Sequence, residues 1–178
     1  ISSGVGTGAG GVNLLANSTI NTSGVLVVRG NTSTLSVAID AISFNGNVTA
    51  NNSGNNITGI SNTGNGISFN SGNVTLNGNI TGSSNTGFGV AINGGNNAIT
   101  GNITSLNAGP GGTTSGGVYI NAGNNTFTGT VGGTTNGTAT AIWLRQGNNT
   151  FTGNVIGSSN AGYGIRLNFN SNNTFTGN

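Results

Sequence analysis

The stretch GNNTFTGNVIGSSNAGYGIRLNFNSNNTFTGN, residues 147–178, decides the fold. It contains NNTFTGN twice, at 148–154 and at 172–178, a displacement of 24 residues. Between the copies lies GIRLN, in which Ile165 and Leu167 alternate with polar neighbours. Alternation at period two marks a strand with one buried face, and the flanking Gly and Asn clusters mark turns. Gly density and the period exclude helix, so the repeating unit is built of strands.

The same unit extends back along the chain. An apolar residue opens a short strand at Ile42 (AISFN), Ile67 (GISFN), Val90 (GVAIN), Val118 (GVYIN), Ile142 (AIWLR) and Ile165 (GIRLN), at spacings of 25, 23, 28, 24 and 23. Two residues on stands a second apolar residue: Phe44, Phe69, Ile92, Ile120, Leu144 or Leu167. Nine residues after the anchor come Leu76, Ile99, Phe127 and Phe151, with Phe175 at ten. Four further on come Ile80, Ile103, Val131 and Val155, and Ile57 fits this column one unit earlier.

Three short strands and three corners in about 23 residues cannot bury their own apolar face, whereas stacked copies can. The predicted fold is all-β: a right-handed parallel β-helix, or β-solenoid, its handedness following the parallel-crossover preference. Coils stacked at about 4.8 Å make a rod on the order of 30–35 Å long. Residues 42–178 are the regular repeats. Residues 1–41 fit them poorly and read as irregular N-terminal coil, with strands in GVNLL and GVLVVRG. Phe127, Phe151 and Phe175 are expected to stack inside. Asn45, Asn70, Asn93, Asn121 and Asn168 hold the third place after the anchor, where Arg145 substitutes once. They are expected to form an amide ladder at a corner.

Composition narrows function. Charged residues are 2% of the chain: Arg29, Arg145, Arg166 and Asp40. One carboxylate and no His leave no general acid–base pair and no Ser–His–Asp base, so the expectation is no enzyme. Hard cations need several carboxylates, and Cys is absent, so no metal, cofactor or disulfide is expected. Asp40 reads as a solvated residue at a coil junction. GTGAGG and GPGG lack the Gly-Lys-Ser/Thr and the helix of a phosphate loop. There is no basic cluster for nucleic acid and no run of membrane-span length. The chain opens on Ile1 within a pattern, with no signal peptide in view, and reads as a fragment or processed form.

Three outward features remain. Asn-X-Ser/Thr occurs thirteen times, and NNT recurs at one corner in Asn124, Asn148 and Asn172. Modification there would line sugars along one edge, although a chain this rich in Asn, Ser and Thr makes such triplets by chance. One residue after each anchor stand Ser43, Ser68, Ala91, Tyr119, Trp143 and Arg166. The last three are candidate binding residues for a glycan or partner surface; the plainer reading is cross-strand pairing that covers the sheet. Finally, Thr126/Thr128, Thr150/Thr152 and Thr174/Thr176 flank the buried Phe column. Such pairs are the arrangement of ice-binding solenoids, here interrupted at Asn77 and Ala98, and Thr is in any case a good outward strand residue.

The segments NVTLNGNITGSSNTGFGVAINGGNNAITGNIT (73–104) and GNNTFTGNVIGSSNAGYGIRLN (147–168) resemble the repeat region of filamentous-haemagglutinin-like exoproteins of two-partner secretion, including high-molecular-weight adhesins. Autotransporter passengers share the style. The resemblance covers most of the chain from Ile42 and is carried by low-complexity text. It implies a right-handed β-helix, an outer-membrane exporter as transport partner, and display at the bacterial cell surface. It also implies a part in adhesion to host glycans or matrix and in virulence. Some members are glycosylated at Asn-X-Ser/Thr. The family's secretion domain and anchor are not in this sequence, so the resemblance implies an internal shaft segment. Local contacts suit a chain exported unfolded, the lack of Cys avoids disulfide traps, and three Arg without Lys leave few trypsin-like sites. Two alternatives stand beside the shaft: a self-assembling extracellular filament subunit joined end to end, and ice binding through the Thr face.

Overall fold

The computed structural model describes residues 12–14, 18–21, 26–30, 42–45, 48–107, 109, 115–168 and 172–178. Among them every regular element is a strand. In chain order, the first circuit comprises β1 (Val12–Leu14), β2 (Ser18–Asn21) and β3 (Leu26–Gly30). The next two comprise β4 (Ile42–Phe44) with β5 (Val48–Ser61), and β6 (Ile67–Phe69) with β7 (Thr75–Ser84). Then follow β8 (Phe88–Ile92), β9 (Ala98–Thr100) and β10 (Ile103–Asn107), and β11 (Gly116–Ile120), β12 (Thr126–Thr128) and β13 (Val131–Thr135). The series continues with β14 (Thr140–Leu144), β15 (Thr150–Phe151) and β16 (Val155–Ser159), and finishes with β17 (Ile165–Leu167) and β18 (Thr174–Phe175).

Each strand pairs in parallel with its counterpart one circuit away, so the chain is a parallel β-solenoid with three faces. The first face is a seven-stranded sheet in the order β1-β4-β6-β8-β11-β14-β17. The other two faces are joined into one sheet because β5 and β7 run through the corner between them. Their N-terminal halves belong to the face of β2, β9, β12, β15 and β18, and their C-terminal halves to that of β3, β10, β13 and β16. Val118 lies opposite Ile142, Thr126 opposite Thr150 and Val131 opposite Val155, a coil of 24 residues in each case. The strands β1 to β3 take the same three faces, with Val12 opposite Ile42, Ser18 opposite Val48 and Leu26 opposite Ile57. Two of them fall in the expected GVNLL and GVLVVRG; β2 was not anticipated. Asp40 and GTGAGG lie outside the described residues, as does most of GPGG.

Alternation of apolar and polar residues puts one row per face inside. Ile42, Ile67, Val90, Val118 and Ile142 are buried on the first face, and Leu76, Ile99, Phe127 and Phe151 on the second. On the third, Ile57, Ile80, Ile103 and Val131 are buried. Parallel in-register stacking sets like on like: Phe44 lies on Phe69 at 4.6 Å, Phe127 on Phe151 at 4.8 Å, and Phe151 on Phe175 at 4.9 Å between centroids. Phe175, Ile165 and Leu167 occupy core columns, yet they are 42%, 43% and 52% exposed, because no described strand lies beyond β17 and β18.

The corners explain the Asn content. Asn73, Asn96, Asn124 and Asn148 all adopt left-handed backbone, with φ between 58° and 63°. Asn accepts that region more readily than most residues with a Cβ. The residue after it turns inward. Asn97, Asn125 and Asn149 are buried there as a stacked series. The Nδ2 of Asn97 donates to Oδ1 of Asn125 (2.9 Å), and Nδ2 of Asn125 to Oδ1 of Asn149 (3.0 Å). The same oxygens accept the backbone N–H of the preceding coil's Asn at 3.0 Å. This is the continuous amide ladder, and it is not the one expected from the sequence. In the expected series, Asn70 and Asn93 are exposed and share one 3.4 Å bond, while Asn121 and Asn168 bond to aromatic side chains. A solvated amide has water as an alternative partner; a buried one does not, so the inward Asn97, Asn125 and Asn149 are all bonded, while Asn173, at the last described rung, accepts from Asn149 N–H but leaves its Nδ2 without a partner.

One line of contact is held mostly by glycine. A Cβ on Gly82 would run into the carbonyl of Gly89, and one on Gly157 into that of Gly164, where the third face closes on the first. Ser105 takes this place in one coil, and its Oγ donates to the Gly117 carbonyl at 2.6 Å.

Candidate functional site

Tyr119, Trp143 and Arg166 sit where the anchor spacing placed them. They are consecutive rungs on the first face, Tyr119 opposite Trp143 and Trp143 opposite Arg166. Arg166 is exposed and both rings are half-buried. The earlier members of the column differ: Ser68 and Ala91 are buried, and Ser68 accepts a hydrogen bond from Asn65 Nδ2 at 3.0 Å.

The rings are packed on one another along the rod. Phe88 stacks on Tyr119 at 4.4 Å with an interplanar angle of 8°. Tyr119 meets Trp143 at 5.2 Å, tilted by 56°. Beyond Trp143, the Arg166 guanidinium lies 5.0 Å from the indole centroid and 5.6 Å from the Tyr163 ring. Tyr119 is thus flanked by rings from both neighbouring coils, and Trp143 by a ring and a cation. The side chains cover the sheet as a cross-strand stack.

Arg145, two residues beyond Trp143 and so on the same side of the strand, completes the group. Its guanidinium lies 5.7 Å from the Trp143 ring and donates to Tyr119 Oη at 2.8 Å. Tyr119 Oη in turn donates to Asn121 Oδ1 (3.2 Å), and Trp143 Nε1 donates to Asn168 Oδ1 (3.2 Å). Phe88, Arg145 and Tyr163 were missed as members by the sequence reading. The signal for Arg145 was its substitution for Asn in an otherwise Asn column. Phe88 and Tyr163 stand two residues before an anchor, a place with no recurring pattern.

The other two outward features occupy other places. Asn124, Asn148 and Asn172 are exposed at one corner, so a single edge of the rod carries all three. The Thr pairs lie on the second face, in register: Thr126 opposite Thr150 and Thr150 opposite Thr174. Thr75, Thr100, Thr126, Thr128, Thr152, Thr174 and Thr176 are exposed, and Asn77 and Ala98 interrupt the array. Compared with protein-family models, curated proteins and solved structures, the chain matches none of them.

Proposed function

We infer that this chain is a shaft segment of a secreted bacterial surface adhesin, passed through an outer-membrane exporter and holding a binding tip away from the cell. The observation that carries the reading is the pairing itself. Every ladder runs along one axis, coil on coil, so added sequence becomes added length. The residue inventory supports a structural role, with one acidic side chain and no His in the whole chain. An antibody raised against the folded rod is expected to label intact source cells. Labelling only after lysis overturns the reading.

End-to-end self-association is a second reading, supported by the unbroken parallel pairing along one axis, which a second copy can continue. An open parallel edge above an apolar core accepts a further coil, whether of the same chain or of a second copy. Electron microscopy of the purified chain separates the readings: short rods favour the shaft and long fibres the filament.

A further inference from the structure

We propose that Arg145 and Arg166, braced against Trp143, form a binding site for an oxyanion group, carboxylate or sulfate ester, carried by a polysaccharide. The proposal goes beyond the shaft reading and does not depend on it.

The first ground is charge. The chain has three Arg and one Asp, and two of the three Arg converge on a single indole ring. Neither has an acidic partner among the described residues, and the sequence between them holds no Asp or Glu. Two like charges held on adjacent coils repel each other, and a bound anion relieves that repulsion.

The second ground is unspent hydrogen-bonding capacity. A guanidinium carries five N–H donors. Arg145 directs one of its nitrogens at Tyr119 Oη, while Arg166 is held by the Trp143 and Tyr163 rings. Both residues are exposed, and no other hydrogen bond engages either guanidinium among the described residues. The planar fork of Arg matches the two oxygens of a carboxylate or the edge of a sulfate.

The third ground is preorganisation. Tyr119 is stacked on Phe88 and bonded to Asn121, and Trp143 is bonded to Asn168. The surface against which the guanidiniums rest is therefore fixed before a ligand arrives, which lowers the entropic cost of binding.

The surroundings choose the ligand class. The chain has no Lys and no run of basic residues, so it lacks the polybasic cluster that holds an anionic membrane or a nucleic acid backbone. Tyr119 is packed between Phe88 and Trp143, and the Trp143 ring is met by Arg145 and Arg166, so these two rings are already engaged and do not serve as an anchor for an apolar peptide. Flanking Asn121 and Asn168 supply amides suited to hydroxyl groups. A charged saccharide uses all of these.

The test is titration calorimetry on the purified chain with three probes: a polyuronate oligosaccharide, the same oligosaccharide with its carboxylates reduced to alcohols, and a sulfated galactan oligosaccharide. Binding of one or both acidic probes is expected, weakening as salt rises, with none of the neutral probe; which acidic probe binds more tightly identifies the group. Arg145→Gln and Arg166→Gln are each expected to weaken binding by about tenfold or more, as for loss of a charge-assisted hydrogen bond. Arg145→Lys keeps the charge, loses the fork, and is expected to fall between wild type and Arg145→Gln. Circular dichroism and melting temperature establish that each variant is folded. Equal binding of the neutral probe, binding unchanged in both Gln variants, or no binding of either acidic probe at millimolar concentration would overturn the proposal.

Discussion

Where Asn-Asn forms the corner before the second face, the two residues do opposite work. Asn124 is exposed and left-handed, whereas Asn125 is buried and bonded to the coils on both sides. Their substitutions should differ accordingly. Asn124→Gly keeps the backbone conformation and is expected to leave stability nearly unchanged. Asn124→Val places a β-branched residue at positive φ and should cost roughly 1–2 kcal/mol. Asn125→Ala leaves the buried Asn97 backbone N–H without an acceptor and takes one of two bonds each from Asn97 Nδ2 and Asn149 Oδ1, at about 1–3 kcal/mol for the group left unsatisfied and more for the lost bonds. Urea denaturation of the three variants checks the order: Asn125→Ala least stable, Asn124→Val next, Asn124→Gly close to wild type. The sequence showed that NN recurs but not which Asn faces in. Both share a side chain that serves in a turn and in a buried ladder, and only the backbone path separates them. The same limit applies to Arg145. Its place beside Trp143 follows from strand alternation, yet its bond to Tyr119 of the preceding coil is a contact across 26 residues that no local pattern encodes.

At the scale of the strand, the reading was more secure because burial imposes a period. The anchors Val90, Val118, Ile142 and Ile165 are in direct register across β8, β11, β14 and β17. A slip of one residue would have turned every core side chain outward, so the apolar rows fix register. Phe151 shows how much depends on one place: it is fully buried and stacked between Phe127 and Phe175. Truncating a buried Phe costs about 3–5 kcal/mol, and a carboxylate in that place costs more. Phe151→Asp should therefore unfold the coils on either side, and an unchanged melting temperature would contradict the assignment. Less legible was the close contact of the first and third faces. Gly82 meets the Gly89 carbonyl there, but Gly is so frequent in this chain that its close-contact positions do not stand out from its turn positions. Gly82→Val should destabilise strongly, because the atom it strikes is backbone and has no rotamer to yield. Protease resistance of the folded rod, compared with wild type, reads this directly.

At the scale of the molecule, a solenoid is nearly one-dimensional: each coil touches only its neighbours, and stability is close to a sum of coil and interface terms. Deletion of residues 121–144 tests this. It removes one 24-residue period and joins Ile120 to Arg145, whose backbone N–H already pairs with the Ile120 carbonyl at 2.8 Å. All three faces then meet in register, since Thr126 gives way to Thr150 and Val131 to Val155 by the same displacement. The shortened chain is expected to fold, keep its parallel-sheet circular dichroism, and lose about 4.8 Å of length by small-angle scattering. Deletion of residues 121–132, half a period, sets the second face against the first and turns stacked columns out of line. It should give an unfolded or aggregated chain. The pair of deletions separates a rod whose length is set by the number of coils from a domain with one closed core, in which either deletion would be equally ruinous. A rod that survives the first deletion and not the second is a spacer whose reach scales with repeat number, which is the property the shaft reading requires.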